Sequence, residues 1–272
     1  MNSFRNKLIL ISGGSSGIGY ALAVEFAKLG ANICILARRE DLLTRAKENI
    51  QSQMTSSDQF VALISADITQ REQLNSQIQD FIMKYGVPDL LINSAGVAHP
   101  GQFENLEPDI FDWMINVNYM GTVNMCKAVI PSMIANKSGC VVNISSVAGF
   151  LGVYGYTAYC GSKFAVKGFS DALRSEMKLH NIQVQVVFPP DTQTPQLDYE
   201  NKFKPKITKE LSSSGGILSA SQVAEAIIKG IRKGKPVIIP GLESKLMYFL
   251  SNFLGRWMYS VMDLMVKSAS KK

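Results

Sequence analysis

Short apolar runs alternate with longer amphipathic segments along most of the chain. Each run predicts a buried strand of a parallel sheet, and the segments between the runs have apolar residues at helical spacing. The predicted strands are residues 8–12, 33–37, 61–65, 90–93, 141–145, 184–188 and 237–239, and the predicted helices are 19–29, 41–53, 71–85, 110–134, 159–179 and 221–232. This alternation predicts an α/β fold: a doubly wound, parallel, seven-stranded sheet of Rossmann type with helices on both faces.

The pattern divides the chain into one domain and a tail. We expect residues 1–241 to form a single domain, since no break in composition marks a linker. Within it, the connection 192–216 is long and rich in charged residues, serine and glycine, which predicts a lid. Ser219 and Gln222 are spaced as the capping box of the helix that follows.

Residues 242–272 form an amphipathic, apolar tail. Its longest uninterrupted apolar run spans five residues, 246–250, whereas a helix that spans a membrane needs about 20. Three interpretations are open. The tail packs on the domain or on a partner subunit, it lies in a membrane interface helped by Trp257 and the lysines near the C-terminus, or it walls a channel for an acyl chain.

Composition narrows the class of protein. Apolar residues make up 46% of the chain and charged residues 18%, which excludes a disordered chain. The net charge of +6 suits an anionic phosphate ligand or an acidic membrane surface, and no dense Lys/Arg stripe indicates nucleic acid. The four scattered cysteines predict reduced, buried thiols, and the polar N-terminus lacks the features of a signal peptide. We therefore expect a cytoplasmic protein, with peripheral membrane contact through the tail as a further expectation.

A glycine-rich turn follows the first predicted strand and opens the first predicted helix. In a dinucleotide site, Gly13 makes the tight turn, Gly17 lets the backbone approach the pyrophosphate, and Gly19 lets helix and strand pack closely. The free N–H groups of the helix N-terminus then bind phosphate. The predicted contacts of this turn are Gly13, Ser15, Ser16, Gly17, Ile18 and Gly19.

The same turn also satisfies G-x-S-x-G, the nucleophile elbow of hydrolases. That interpretation needs a downstream acid and histidine in the right context. The chain has only two histidines, His99 in a Pro/Gly loop and His180 at a predicted helix end. Esterase chemistry and a catalytic zinc site are both disfavoured, and we expect no metal.

The end of the second predicted strand indicates which dinucleotide binds. An NAD site places an acidic residue there for the ribose hydroxyls, whereas a 2′-phosphate is matched by a guanidinium. This chain has Arg38 and Arg39, and the first acidic residue is Glu40. We expect NADPH/NADP+, with Arg38 on the 2′-phosphate, Ser15 donating a hydrogen bond, and Arg39 in reserve.

Tyr159, Lys163 and Ser146 form a candidate proton-transfer group. Residues i and i+4 share one helix face, so the Lys163 ammonium can lie near the Tyr159 phenol. We expect this cation, with the positive ring of an oxidised cofactor, to lower the pKa of the phenol from about 10. In carbonyl reduction Tyr159 donates its proton while Ser146 holds the carbonyl oxygen.

With these motifs the chain resembles the short-chain dehydrogenase/reductase family, up to about Pro240. The resemblance is carried by the glycine turn, Asp67, the Asn93-Ser94-Ala95-Gly96 motif, Asn118 within 116–121, and the Ser146, Tyr159 and Lys163 set. It implies that Asp67 and the adjacent Ile68 contact the adenine, and that Asn93, Ala95 and Gly96 support the adenosine half. It also implies that Tyr159 and Lys163 contact the nicotinamide ribose, and that Asn118 holds a water in a proton relay.

Two departures from the family pattern refine the resemblance. Asn93-Ser94 replaces the common Asn-Asn, and Pro189-Pro190 replaces the usual Pro-Gly after the sixth predicted strand. Because Pro190 has no N–H, we expect the segment from Pro189, with Thr192 and Thr194, to contact the nicotinamide amide and the phosphates. The string 189–195 is similar to that of the 3-ketodihydrosphingosine (3-dehydrosphinganine) reductases, which reduce a long-chain amino ketone with NADPH.

The expected function is therefore NADPH-dependent reduction of a ketone on a hydrophobic substrate, with 3-ketodihydrosphingosine favoured. A steroid or a 3-oxoacyl compound is the alternative within this class. A non-catalytic NADP(H)-binding sensor is the alternative from another class, and the filled Tyr159 and Lys163 positions argue against it. The family resemblance also implies a homo-oligomer, either a dimer or a tetramer.

Overall fold

The fold was obtained as a computed structural model, which describes residues 3–213 and 216–271. Its strands are β1 (Leu8–Ser12), β2 (Asn32–Ala37), β3 (Val61–Ser65), β4 (Leu90–Asn93), β5 (Gly139–Ile144), β6 (Ile182–Val187), β7 (Thr192–Gln193), β8 (Leu218–Ser219) and β9 (Val237–Ile238). Its α-helices are α1 (Gly17–Lys28), α2 (Glu40–Ser52), α3 (Arg71–Tyr85), α4 (Pro108–Met114), α5 (Gly121–Ala135), α6 (Thr157–Met177), α7 (Pro195–Phe203), α8 (Lys206–Ser213), α9 (Ala220–Arg232), α10 (Leu242–Leu254) and α11 (Trp257–Ala269).

In the described part of the chain, seven parallel strands form the main sheet in the order β3-β2-β1-β4-β5-β6-β9. The predicted doubly wound fold is confirmed, and the strand order reverses between β1 and β4. Ligands of such sheets bind at this reversal, beyond the carboxyl ends of the strands. The glycine turn and the segments after β2, β4, β5 and β6 all meet at that edge.

The core lies on both faces of the sheet because successive strand residues point in opposite directions. In β1, Ile9 and Ile11 join a buried cluster with α1, α2 and α9. Leu8 and Leu10 join a second cluster on the other face with α3 and α5. All four cysteines are buried and free, as predicted.

The predicted continuous helix 110–134 is wrong in its middle. The chain forms α4, then a π-helical turn at Ile115–Met120, and then α5. The turn contains Asn118, whose amide is fixed to Val97 by two hydrogen bonds, Val97 N–H to Oδ1 at 2.7 Å and Nδ2 to the Val97 carbonyl at 2.9 Å. The wider π-helical turn thus occurs where the Asn118 side chain is hydrogen-bonded to the loop after β4. Apolar periodicity cannot predict such a contact.

The connection 192–216 contains more regular structure than a lid loop. It forms β7, α7 and α8, and β7 pairs with β8 in a short parallel ladder. Thr194 accepts a hydrogen bond from the Leu197 N–H at 3.3 Å and so begins α7, with Pro195 at the first helical position. The predicted lid also includes residues 214 and 215, which lie outside the described residues.

The tail forms two helices that break at Gly255, whose backbone has φ 51° and ψ −121°. Residues with a Cβ rarely adopt this conformation, so glycine allows the break between α10 and α11. α11 packs against α8. Among the described helices, none combines the length and the apolar content required to cross a bilayer.

Candidate active site

A cavity of about 820 Å³ lies at the carboxyl edge of the main sheet. This volume falls within the range of small-molecule and cofactor sites. The predicted site residues that line it are Gly13, Ser15, Ser16, Gly17, Ile18, Arg38, Arg39, Asp67, Ile68, Ala95, Gly96, Ser146, Tyr159, Lys163, Pro189, Thr192 and Thr194. Segments separated by more than 180 residues in sequence thus meet around one space.

The glycine turn has the conformation that the sequence predicted. Gly13 and Gly17 have φ of 72° and 58°, in the region that favours glycine. A Cβ on Gly13 would lie 2.7 Å from the Ala95 backbone, and one on Gly19 would lie 2.4 Å from the Gly13 carbonyl oxygen. Bare backbone therefore faces the cavity at the N-terminus of α1, which is the arrangement that admits a pyrophosphate.

The rim next to this turn is formed by the ends of β2 and β3. An Arg38 guanidinium nitrogen lies 3.7 Å from an Asp67 carboxylate oxygen, and 61% of the Arg38 side chain is exposed. Asp67 also accepts hydrogen bonds from the N–H and the hydroxyl of Thr69. Arg38 therefore has a fixed neighbour but keeps most of its surface available to an anionic ligand.

Three functional groups meet on the floor of the cavity. The side chains of Tyr159 and Ser146 both line the cavity, and the Lys163 ammonium lies 5.6 Å from the centre of the Tyr159 ring. The same ammonium donates to the Ile144 carbonyl at 3.1 Å, and the Ser145 hydroxyl donates to the Lys163 carbonyl at 2.9 Å. These last two bonds join α6 to the end of β5, so the phenol, the ammonium and the Ser146 hydroxyl are held in register.

Burial dominates the electrostatics of this group. It raises the pKa of Tyr159, and the nearby Glu200 carboxylate raises that pKa further, although the Ser146 side chain acts in the opposite direction. The expected lowering by the neighbouring cation is therefore outweighed here. Burial lowers the pKa of Lys163 to about 8, with Glu200 opposing. At neutral pH the phenol consequently holds its proton, as a proton donor requires.

Two predicted cofactor contacts lie beneath the cavity and do not line it. The Asn93 amide is buried, donating to the Asn143 side chain at 2.8 Å and to the Cys126 sulfur at 3.3 Å. It therefore ties β4 to β5 and supports the loop above, and its expected support of the adenosine half stays a prediction. Gly19 acts through close packing against Gly13.

Asn118 also lies outside the cavity wall. Besides its bonds to Val97, the Asn118 side-chain amide donates to the Ser162 hydroxyl at 2.9 Å. The backbone carbonyl of Asn118 accepts a hydrogen bond from the Thr122 hydroxyl. The side chain therefore connects the π-helical turn to α6 and to the loop after β4. Its expected place in a water relay stays a prediction.

The two threonines of the segment after β6 are engaged within the protein. The Thr192 hydroxyl donates to the Pro190 carbonyl at 2.8 Å, and the Thr194 hydroxyl donates to the Thr192 carbonyl at 3.1 Å. The Thr194 methyl group lies next to Gly17. These contacts fix the local conformation of the segment beside the glycine turn, and its expected contacts with the nicotinamide amide and the phosphates stay a prediction.

Sequence reasoning missed Glu200 on α7, which is 7% exposed and accepts a hydrogen bond from the Tyr156 hydroxyl at 2.6 Å. Glu200 lies in the charged connection that was predicted to form a lid, and no local signal marked it as buried.

The tail also forms part of the wall, which agrees with the third of its three interpretations. Its inner face contributes the apolar residues Met247, Leu250, Met258, Val261, Met262 and Met265. Helical spacing alone did not show which face of the tail turns inward.

Comparison with known proteins agrees with this geometry. The family model described as short chain dehydrogenase matches residues 7–205. The chain belongs to this family of oxidoreductases.

Two relatives carry more specific names. The 3-ketodihydrosphingosine reductase of Mus musculus is 42% identical over 83% of this chain and 68% of its own length. The 3-ketodihydrosphingosine reductase of Dictyostelium discoideum is 35% identical over 96% of this chain and 83% of its own. Among solved structures, a short-chain dehydrogenase from Sphingobium yanoikuyae in complex with NADPH superposes with a TM-score of 0.78. It is 25% identical and covers 93% of this chain and 95% of that one.

Proposed function

We propose that this protein reduces the ketone of a long-chain amino ketone, 3-ketodihydrosphingosine, with NADPH. The observation that carries the proposal is the position of Tyr159, Ser146 and Lys163 on the floor of a cavity whose outer wall is apolar. The names of the relatives from Mus musculus and Dictyostelium discoideum support the substrate. The apolar wall from α10 and α11 suits an alkyl chain, and a steroid or a 3-oxoacyl compound is the alternative.

The residues around the cavity fit the proposed cofactor. The glycine turn leaves bare backbone where a Cβ would collide with Ala95, and Arg38 offers a guanidinium at the end of β2. NADPH supplies the hydride that reaches the carbonyl carbon. Ser146 orients the carbonyl oxygen by a hydrogen bond, Tyr159 gives that oxygen its proton, and the buried Lys163 ammonium stabilises the negative charge that develops.

The direct test follows the absorbance of reduced nicotinamide with a panel of three ketones: 3-ketodihydrosphingosine, a steroid ketone and a 3-oxoacyl thioester. We expect the amino ketone to have the highest kcat/KM. A higher value for either of the other two would contradict the proposed substrate. Binding of NADPH without turnover of any ketone would favour a sensor.

Arg38→Ala tests the cofactor. A charge-assisted hydrogen bond contributes about 1.5–3 kcal/mol, so we expect the KM for NADPH to rise about 10- to 100-fold. The KM for NADH, which lacks the 2′-phosphate, should change far less. Arg45→Ala is the control, since Arg45 is an exposed arginine of α2 that does not line the cavity, and both KM values should stay unchanged in this variant. Equal losses for both coenzymes in the Arg38 variant would count against the assignment.

We also propose that the outer face of the tail contacts an anionic membrane surface. Large apolar side chains on this face are exposed, among them Phe249 at 63% and Phe253 at 76%. Basic residues on the same two helices suit acidic headgroups. Because the inner face lines the cavity, a membrane on the outer face would place a lipid substrate next to its site.

A double variant, Phe249→Ser with Phe253→Ser, tests this contact. Burying one such side chain contributes roughly 1.5–3 kcal/mol, so the partition onto vesicles containing phosphatidylserine should fall about tenfold or more. The control is Met83→Ser with Leu179→Ser, which removes two exposed apolar side chains outside the tail. Unchanged sedimentation of the tail variant with vesicles would remove the membrane proposal.

A further inference from the structure

The Glu200 carboxylate is a buried acidic group of the cavity wall that the proposed reaction does not use, and it lies beside the proton donor. It accepts hydrogen bonds from the Tyr156 hydroxyl at 2.6 Å and from the Gln196 amide at 2.9 Å. The Tyr156 and Tyr159 rings are adjacent, with their centres 5.7 Å apart. The carboxylate therefore lies close to the place where a carbonyl is protonated.

Both of these hydrogen bonds come from neutral groups. Lys204, at the C-terminal end of α7, has its ammonium 2.9 Å from an Asp191 carboxylate oxygen, and its side chain is only 3% exposed. The Lys204 ammonium is therefore paired with Asp191 and acts on Glu200 through its charge, while the two groups hydrogen-bonded to the Glu200 carboxylate are neutral. Burial raises the pKa of Glu200 above its ordinary value although Lys204 acts in the opposite direction, because burial disfavours the charged form of a carboxyl group.

The field of Glu200 reaches the reacting groups. Its charge raises the pKa of both Tyr159 and Lys163. A positive group on the substrate, placed on the carbon next to the ketone, would lie in this same field. Such a group would give the carboxylate a cationic hydrogen-bond donor beside the neutral donors of Tyr156 and Gln196.

We propose that Glu200 binds the ammonium of the amino ketone and is the residue that selects an α-amino ketone over a plain ketone. This inference rests on the proposed function for its substrate class. Tyr156 and Gln196 hold the carboxylate in position, each by one hydrogen bond. Selection arises because a neutral ketone leaves the buried carboxylate with neutral hydrogen-bond donors, while an amino ketone adds a charge-assisted hydrogen bond.

The first test compares Glu200→Gln with the unaltered enzyme on two ketones of equal chain length, one with the α-amine and one with hydrogen in its place. We expect the variant to lose about 10- to 100-fold in kcat/KM on the amino ketone, the range for one lost charge-assisted hydrogen bond. Loss on the plain ketone should be much smaller. Equal losses on both ketones would show that Glu200 acts only through structure or through Tyr159, and would overturn the inference.

Glu243→Gln is the matched control, because Glu243 also lines the cavity but accepts a bond from the Gly216 N–H at the rim. This variant removes the same charge and should leave the ratio between the two ketones unchanged. A shift of the ratio equal to that of Glu200→Gln would assign the effect to the general field of the cavity and overturn the proposal.

The second test measures binding by calorimetry and does not depend on turnover. A long-chain primary amine should bind the NADP+-loaded unaltered protein at least about tenfold more tightly than the alcohol of the same length. Equal affinities would overturn the inference even where Glu200→Gln fails to fold. If the enzyme reduces neither ketone but prefers the amine, the proposed reaction fails while the ammonium site stands.

Discussion

Tyr159→Phe should lower kcat about 10²- to 10⁴-fold, the contribution typical of a positioned general acid. The phenol is the group on the cavity floor that can donate a proton to the carbonyl oxygen, and burial together with Glu200 keeps it protonated by raising its pKa. Phenylalanine preserves the ring and its packing against Tyr156 but removes the hydroxyl. Initial rates with NADPH and the amino ketone measure the effect.

The loss should be confined to turnover. We expect the dissociation constant of NADPH, followed by nicotinamide fluorescence, to stay close to that of the unaltered protein. Tyr154→Phe is the matched control: the Tyr154 hydroxyl accepts a hydrogen bond from the Gln102 amide at 2.9 Å, outside the group on the cavity floor. Retained activity in the Tyr159 variant, or an equal loss of activity in the Tyr154 variant, would contradict the assignment of Tyr159 as the proton donor.

Lys163→Met should inactivate the enzyme and stabilise its cofactor-free form. The expected loss in kcat/KM is about 100-fold or more, because the variant removes the cation that supports the proton transfer. The gain in the free energy of unfolding should be about 1–3 kcal/mol at pH 7, because methionine is not penalised by burial as the ammonium is. Activity assays and urea unfolding measure the two effects on the same preparations.

The pH dependence of that gain identifies its cause. Burial lowers the pKa of Lys163 from 10.5 to about 8. Between these values the unfolded chain binds a proton that the folded chain does not, so the penalty on the folded state is complete below about pH 8 and disappears as the pH rises towards 10.5. The stability difference between Lys163→Met and the unaltered protein should therefore be smaller at pH 10 than at pH 7. A gain that does not change with pH would assign it to packing.

The parts of the fold that follow local rules were predictable from the sequence. Apolar periodicity located the strands of the main sheet to within about two residues, the usual uncertainty of such boundaries. The capping box at Ser219 and Gln222 forms as predicted, with reciprocal hydrogen bonds of 3.1 and 2.9 Å. The positive φ of Gly13 and Gly17 followed from the known backbone demands of a phosphate turn.

The parts that depend on distant contacts were not predictable. The Asn118 side chain is hydrogen-bonded to Val97 and Ser162, and neither hydrogen bond can be inferred from the local pattern of apolar residues. Glu200 lies in the charged connection that was predicted to form a lid, and local sequence did not show that α7 turns this side chain towards the cavity. The pKa of Tyr159 was expected to fall because the neighbouring cation was visible in the sequence, while burial and the field of Glu200 were not.

The inner face of the tail has a consequence for substrate range. Four of its cavity-lining residues are methionines, Met247, Met258, Met262 and Met265, whose unbranched thioethers adapt to irregular shapes at little energetic cost. Such a wall can adapt to hydrocarbon chains of different lengths and degrees of saturation. At the other end of the cavity, the Glu200 carboxylate and the Tyr159 and Ser146 hydroxyls require a fixed geometry of the groups that they bind. We therefore expect the protein to select strongly for the polar end of its ligand and to accept variation along the hydrocarbon chain. Oxidation to sulfoxides would polarise that wall and narrow the tolerance without touching the chemistry on the floor.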